Sequence, residues 1–177
     1  MTLGTVLAAW SVCALPPVLE FAPGMMAQSL LTNAPEFAEY PVSSAFHGRP
    51  AKPRFRHGVH IWPDSDPRFR STVEFELAKG ANFAGNYTVV QTTCGTGCSY
   101  VVVVDTRSGE IFENLAFRMV VVGHPGEFQG LSYRLDSRLL IVDGFVDESK
   151  TPTRSYYLWR DERFRLIQKA PITPDRR

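Results

Sequence analysis

Three things are scarce in this chain: net charge, cysteine, and any hydrophobic run long enough to cross a bilayer. Nineteen Lys and Arg against eighteen Asp and Glu leave a formal charge of +1 at pH 7. That balance gives no long-range field to draw in nucleic acid or anionic lipid, and no basic run interleaved with aromatics is present. The apolar segment at residues 5–19 falls short of the roughly 20 residues a transmembrane helix needs, so no membrane span is expected in the mature form. No G-x-S-x-G elbow occurs, no H-E-x-x-H helix, and no second C-x(2–4)-C pair to complete a structural zinc site.

What is present reads as one modest exported domain. A length of 177 residues suits a single domain, and removal of a leader leaves about 150, enough for a substantial core. With 44% hydrophobic and 21% charged residues the composition is that of a soluble globule, and thirteen Gly with thirteen Pro point to many turns. Residues 1–27 are expected to be a signal peptide or uncleaved leader. Its apolar core ends at Pro16-Pro17, and Met26-Ala27 before Gln28 offers a cleavage point. No Lys or Arg precedes Arg49, so the positive n-region of a standard leader is missing. Cys13 follows Val12, where lipid attachment wants a small residue, and reads as an ordinary leader cysteine.

Beyond the leader two cysteines remain, Cys94 and Cys98, set in T-T-C-G-T-G-C-S-Y between β-branched runs. Three arrangements are open to them: a disulfide pinning one hairpin, a redox or metal pair, and free thiols. Dithiol oxidoreductases use C-x-x-C at a helix N-terminus, whereas the flanks here are strand-like, so the staple is favoured. It requires an oxidising compartment, and a periplasmic or secreted location is the corresponding expectation.

The mature chain divides into an extended Pro-rich segment at 28–65, a β-rich domain at 66–170 and a tail at 171–177. Pro35, Pro41, Pro50 and Pro53 are too close together for a long helix, while Phe37, Tyr40, Phe46 and Phe55 can dock the segment onto the domain. One helix is predicted near 67–79. Asp66 caps it, Pro67 opens it, and Gly80 stops it, with Phe69, Val73 and Leu77 recurring every four residues. Strand signals then follow at 87–93, 99–105, 110–114, 116–122, 131–135, 138–143, 154–159 and 164–169. The expected class is α+β, mainly β: an antiparallel meander of about seven strands, as a curved sheet or partial propeller or barrel, with the helix packed on it. The four valines at 101–104 predict a central strand covered on both faces. Tyr156, Tyr157, Trp159 and Phe164 read as core rather than as a binding face.

Several phrases share one pattern: F-A-G-N-Y from Phe83, C-G-T-G-C from Cys94, Val104-Asp105 with Ser108-Gly109, L-D-S-R-L-L from Leu135, and Y-Y-L-W from Tyr156. Together they resemble a group of bacterial exported proteins of unknown function, over roughly residues 69–169. Asn86 stands where that group is expected to carry His, and Thr93 where it often has Gly. The resemblance implies export and a shared fold, and it transfers no activity.

No catalytic constellation is assembled by the sequence, and no cofactor is expected. His47, His57, His60 and His124 all sit in Pro/Gly-rich loops, and His57-x-x-His60 is the one spacing that offers a metal pair. The acidic groups Asp143 with Asp147-Glu148, and Asp64 with Asp66, read as turn formers; paired across a cleft they would suit glycoside hydrolysis. The leading functional expectation is an exported binding module, such as an inhibitor or immunity-type protein, whose partner is another envelope or secreted protein. Its contact residues would be Gly95, Thr96, Gly97, Ser99 and Tyr100, with Asn86. The alternatives are a structural envelope protein and a hydrolase or redox enzyme.

Overall fold

A computed structural model of the chain describes residues 33–55, 67–123, 128–147 and 149–172. The chain divides into two compact units, Met1–Asn33 and Ala34–Arg177. The predicted leader, the Asp66 cap, His57, His60, His124, Asp64 and Glu148 lie outside the described residues. Among those that are described, no helix is long and apolar enough to cross a membrane.

The second unit is mainly β, and its described residues form an open antiparallel sheet of eight strands with one α-helix. Helix α1, Pro67–Ala78, buries the predicted stripe Phe69, Val73 and Leu77 and turns Arg68 and Glu74 outward. Strands β1 (Tyr87–Gly95) and β2 (Cys98–Asp105) form one long hairpin, with Tyr87 opposite Asp105 and Thr93 opposite Ser99. The remaining strands are β3 (Ile111–Glu113), β4 (Met119–Val121), β5 (Gly130–Tyr133), β6 (Leu139–Val146), β7 (Thr153–Arg160) and β8 (Arg163–Pro171).

The path departs from a simple meander. Both β3 and β4 pair with β2, at Val102–Val104 and Cys98–Tyr100 respectively, so they lie end to end along one edge. The link between them does not reverse the chain, because Asn114 Oδ1 accepts the Ala116 N–H in a local turn and Phe117 enters the core. On the far side β4 pairs with β6, and β5 lies beside it along the same edge of β6. The sheet therefore has two wings, β1-β2-β3 and β5-β6-β7-β8, joined through the three residues of β4.

Alternation on each strand decides which residues fill the space between the wings. Val89, Val101 and Val103 from one wing meet Leu140, Val142, Tyr157, Trp159 and Phe164 from the other, around Phe83 and Phe117. Val102 and Val104 point to the opposite face, where Val90 and Ile111 join them against α1. The expected double coverage of β2 is thus realised, and Tyr156, Tyr157, Trp159 and Phe164 are all buried. The described part of the Pro-rich segment, residues 34–55, runs along this body as extended chain with a short 3-10 turn at Phe37–Glu39. Val42 N–H donates to Asp136 O, Phe46 N–H to Gly85 O, Ala51 N–H to Thr106 O and Arg54 N–H to Gly109 O. Phe55 anchors it against Phe69, ring edge to face at 6.2 Å.

Tyr157 carries a pH signature of this packing. It stacks on Phe117 at 4.8 Å, and burial pushes its phenol up to about 12, with a hydrogen bond to Ser155 acting in the other direction. An unfolded tyrosine titrates near 10. The neutral phenol is therefore favoured by folding, and its contribution is intact below pH 10 and lost as pH rises through about 12. Urea midpoints measured across this alkaline window should fall in the wild-type protein and fall less in Tyr157→Phe. An identical alkaline loss in both would show that the phenol is not the titrating group.

Candidate functional site

Two cavities of the second unit adjoin the sequence-predicted contact residues, and β1 separates them. Asn86 precedes β1 and Cys94 lies near its end; eight residues at roughly 3.3 Å each put them about 26 Å apart. The sequence-predicted contact residues therefore do not form a single site.

At the far end of the hairpin, Cys94 and Cys98 are joined by a disulfide with their Cα atoms 5.2 Å apart. The register shifts between Thr93 and Gly95, so Cys94 is the extra residue of a bulge beside the two-residue turn Thr96-Gly97. Thr93 Oγ1 and the Gly95 N–H and carbonyl tighten the same corner. Gly97 takes φ +68 and packs against Gly123, whose carbonyl oxygen a Cβ would strike, and Val122 N–H donates to Gly97 O. One side of the tip is docked, and the freely presented part narrows to Gly95 and Thr96, both exposed. Ser99 and Tyr100 are not at the tip. They lie half-buried in β2, with backbone neighbours on both sides in β1 and β4.

Beside this tip a cleft of about 330 Å³ runs between the first two turns of α1, at Arg68 and Thr72, and β1 residues Thr92 to Gly95. Thr92 is 7% exposed, and its Oγ1 is buried with no hydrogen-bond partner among the described residues. A hydroxyl left in this state costs on the order of 1–3 kcal/mol unless something fills the cleft and bonds to it.

At the near end, F-A-G-N-Y forms a tight loop in which Phe83 and Tyr87 bridge. Ala84 takes φ +44, a rare conformation for a residue with a side chain, and Gly85 takes φ +82. A Cβ on Gly85 would sit 2.5 Å from Ser44 O, so the extended segment closes over this loop only because the residue is glycine. Asn86 is fixed from the backbone, since its carbonyl accepts the Thr106 N–H at 2.8 Å. Asp105 is buried next to it. Burial opposes ionisation of that carboxyl, but hydrogen bonds and charge from Arg107, aided by the nearby Asn86 amide, hold it below the usual carboxylate range. Asn86 Nδ2 itself lies beside this carboxylate without reaching hydrogen-bond geometry, and is buried with no partner.

Of the acid groups in the two sequence-predicted pairs, Asp143 and Asp147 lie among the described residues, and each carboxylate is taken up by other groups. Asp143 is bound by Arg154, Nε to Oδ1 at 2.8 Å and Nη2 to Oδ2 at 2.6 Å, and that partner raises the arginine pKa. Asp147 accepts the backbone N–H groups of Arg118 and Met119, which orders the start of β4. His47 is exposed, and among the described residues no three His, Cys, Asp or Glu groups come together as a metal site. Sequence reasoning missed the arginines gathered near Asn86, because Arg107, Arg138 and Arg160 belong to separate turns and each alone reads as solvated. The chain matches no family model, no curated protein and no solved structure.

The disulfide ring is short, and on the loop-entropy account its removal should cost about 2 kcal/mol. Chemical unfolding of the Cys94→Ser/Cys98→Ser protein should show that loss with the sheet intact by circular dichroism. Collapse of the whole sheet would instead make the bridge a condition of folding.

Proposed function

We propose that this protein is an exported binding module that meets another envelope or secreted protein through the disulfide-closed end of the β1–β2 hairpin. The observation that carries the reading is the exposed Gly95-Thr96 tip, held in one shape by the Cys94–Cys98 bridge and by the Gly97 contact with Val122. A tip ordered before binding loses little conformational entropy on docking, which is how small contact surfaces reach useful affinity. The adjoining cleft supports the same reading, since the partnerless Thr92 hydroxyl at its edge can be satisfied by a group a partner inserts. Bridge formation calls for an oxidising compartment, and the resemblance of the F-A-G-N-Y and C-G-T-G-C segments to bacterial exported proteins agrees with a periplasmic or secreted location. Inhibitors and immunity proteins of secreted hydrolases and toxins use stapled loops of this build, and that is the partner class favoured here by architectural analogy.

Affinity capture from envelope extract tests this. The wild-type chain should retain a discrete partner, and Thr96→Arg, which changes only an exposed side chain, should weaken its retention about tenfold or more, as expected for a central contact residue. Unchanged capture by a folded Thr96→Arg protein would remove the tip from the interface and leave a purely structural envelope role for the bridge.

A further inference from the structure

The other end of the hairpin opens on a groove of about 730 Å³, bounded by the extended segment at Pro41–Ser44, the Ala84–Tyr87 loop and the β7–β8 turn. Three observations converge there. First, two residues of its lining carry donors that make no hydrogen bond among the described residues: Asn86 Nδ2, buried beside the Asp105 carboxylate, and the Arg138 guanidinium, which also makes no ion pair there. Second, the charges around it do not cancel. Arg107 is committed to Asp105, with Nε on Oδ1 at 3.3 Å and Nη2 on Oδ2 at 3.2 Å. Asp161 is bound by Arg165 at 2.8 Å, with Arg160 at 3.8 Å. Arg138 and Arg160 then stand against Glu162 alone, which leaves one uncompensated positive charge. Third, the backbone on both sides is held in conformations that residues with side chains avoid, Ala84 at φ +44 on one wall and Asp161 and Glu162 at φ +53 and +57 on the other. Two such residues in a hairpin turn ordinarily call for Asn-Gly. Strain kept where a cavity and unmet donors coincide is characteristic of ligand clamps.

We infer that this groove is a binding site for a small organic carboxylate, whose oxygens take the Asn86 amide and the Arg138 guanidinium while its body lies along Trp159. A guanidinium presents paired N–H donors that match a carboxylate, and a single net charge suits a monoanion better than a doubly charged phosphate. The site is independent of the Thr96 tip at the opposite end of β1, so either can fail without the other.

The test uses benzoate, neutral benzamide and inorganic phosphate as probes on the full chain, followed by the NMR signals of the Asn86 side-chain amide and the Arg138 Nε–H. Benzoate should shift both signals saturably, and benzamide and phosphate should not. Arg138→Gln should weaken benzoate binding about tenfold, the loss of one charge-assisted bond. Glu162→Gln should tighten it, because an opposing charge is removed. Both substituted side chains are exposed, and an unchanged amide fingerprint in the same samples verifies folding. Equal shifts with benzamide, tighter binding of phosphate, benzoate affinity indifferent to both substitutions, or no saturable shift at all would each overturn the assignment.

Discussion

The aromatic seam between the two wings of the sheet is the interaction on which the rest of the molecule depends. Among the described strands only β4, three residues long, pairs with both wings, and backbone bonds from Ala84 to Ser137 and from Gly85 to Leu135 add a link between their loops. What holds them together is Phe83, from the loop before β1, set among Tyr133, Trp159 and Phe164 at centroid distances of 6.2, 6.2 and 5.8 Å. Tyr87 and Phe112 from the first wing add edge contacts to Trp159 at 5.1 and 6.0 Å. Rings at these separations contribute beyond their buried area, and each buries far more apolar surface than an aliphatic side chain. An open sheet with so narrow a joint is stable because its inner face is filled from both sides.

Both candidate surfaces follow from that arrangement. Closure of the wings brings the β7–β8 turn next to the Ala84–Tyr87 loop, and the extended segment closes the third side, with Val42 N–H on Asp136 O in the β5–β6 link and Phe46 N–H on Gly85 O. The groove near Asn86 exists because three chain segments that are remote in sequence meet there. The disulfide end is built differently, from local chemistry. A bulge, a two-residue turn and a covalent ring fix the tip, and the helix contributes one wall of the adjacent cleft. Recognition by the first surface rests on charge and unmet donors, and by the second on preset shape.

Much of the fold was legible in the residues. The four-residue spacing of Phe69, Val73 and Leu77 placed α1 within a residue of its observed end, and the unbroken valines of β2 announced a strand covered on both faces. The strand intervals were also readable, although eight form where about seven were expected. The end-to-end placement of β3 and β4 was not readable, because it turns on whether a short link reverses the chain, and Asn114 and Phe117 decide that only through contacts outside the segment. The stapled tip was legible because both cysteines and its glycines are neighbours in sequence. The arginine-lined groove was not, since its members are spread from the extended segment to the β7–β8 turn, and Asn86 was grouped with a tip that lies at the other end of its strand. The strained turn at Asp161-Glu162 gave no glycine or asparagine signal to betray its positive φ values.

Amide hydrogen exchange on Phe83→Ala, read strand by strand beside its urea unfolding, addresses the seam most directly. Truncating a fully buried phenylalanine of this kind should cost about 3–5 kcal/mol, and if the rings bind the wings into one unit, β2 and β6 should lose protection together by that amount. A loss under about 1 kcal/mol, below the range for such truncations, or protection lost in one wing while the other keeps it, would contradict the account.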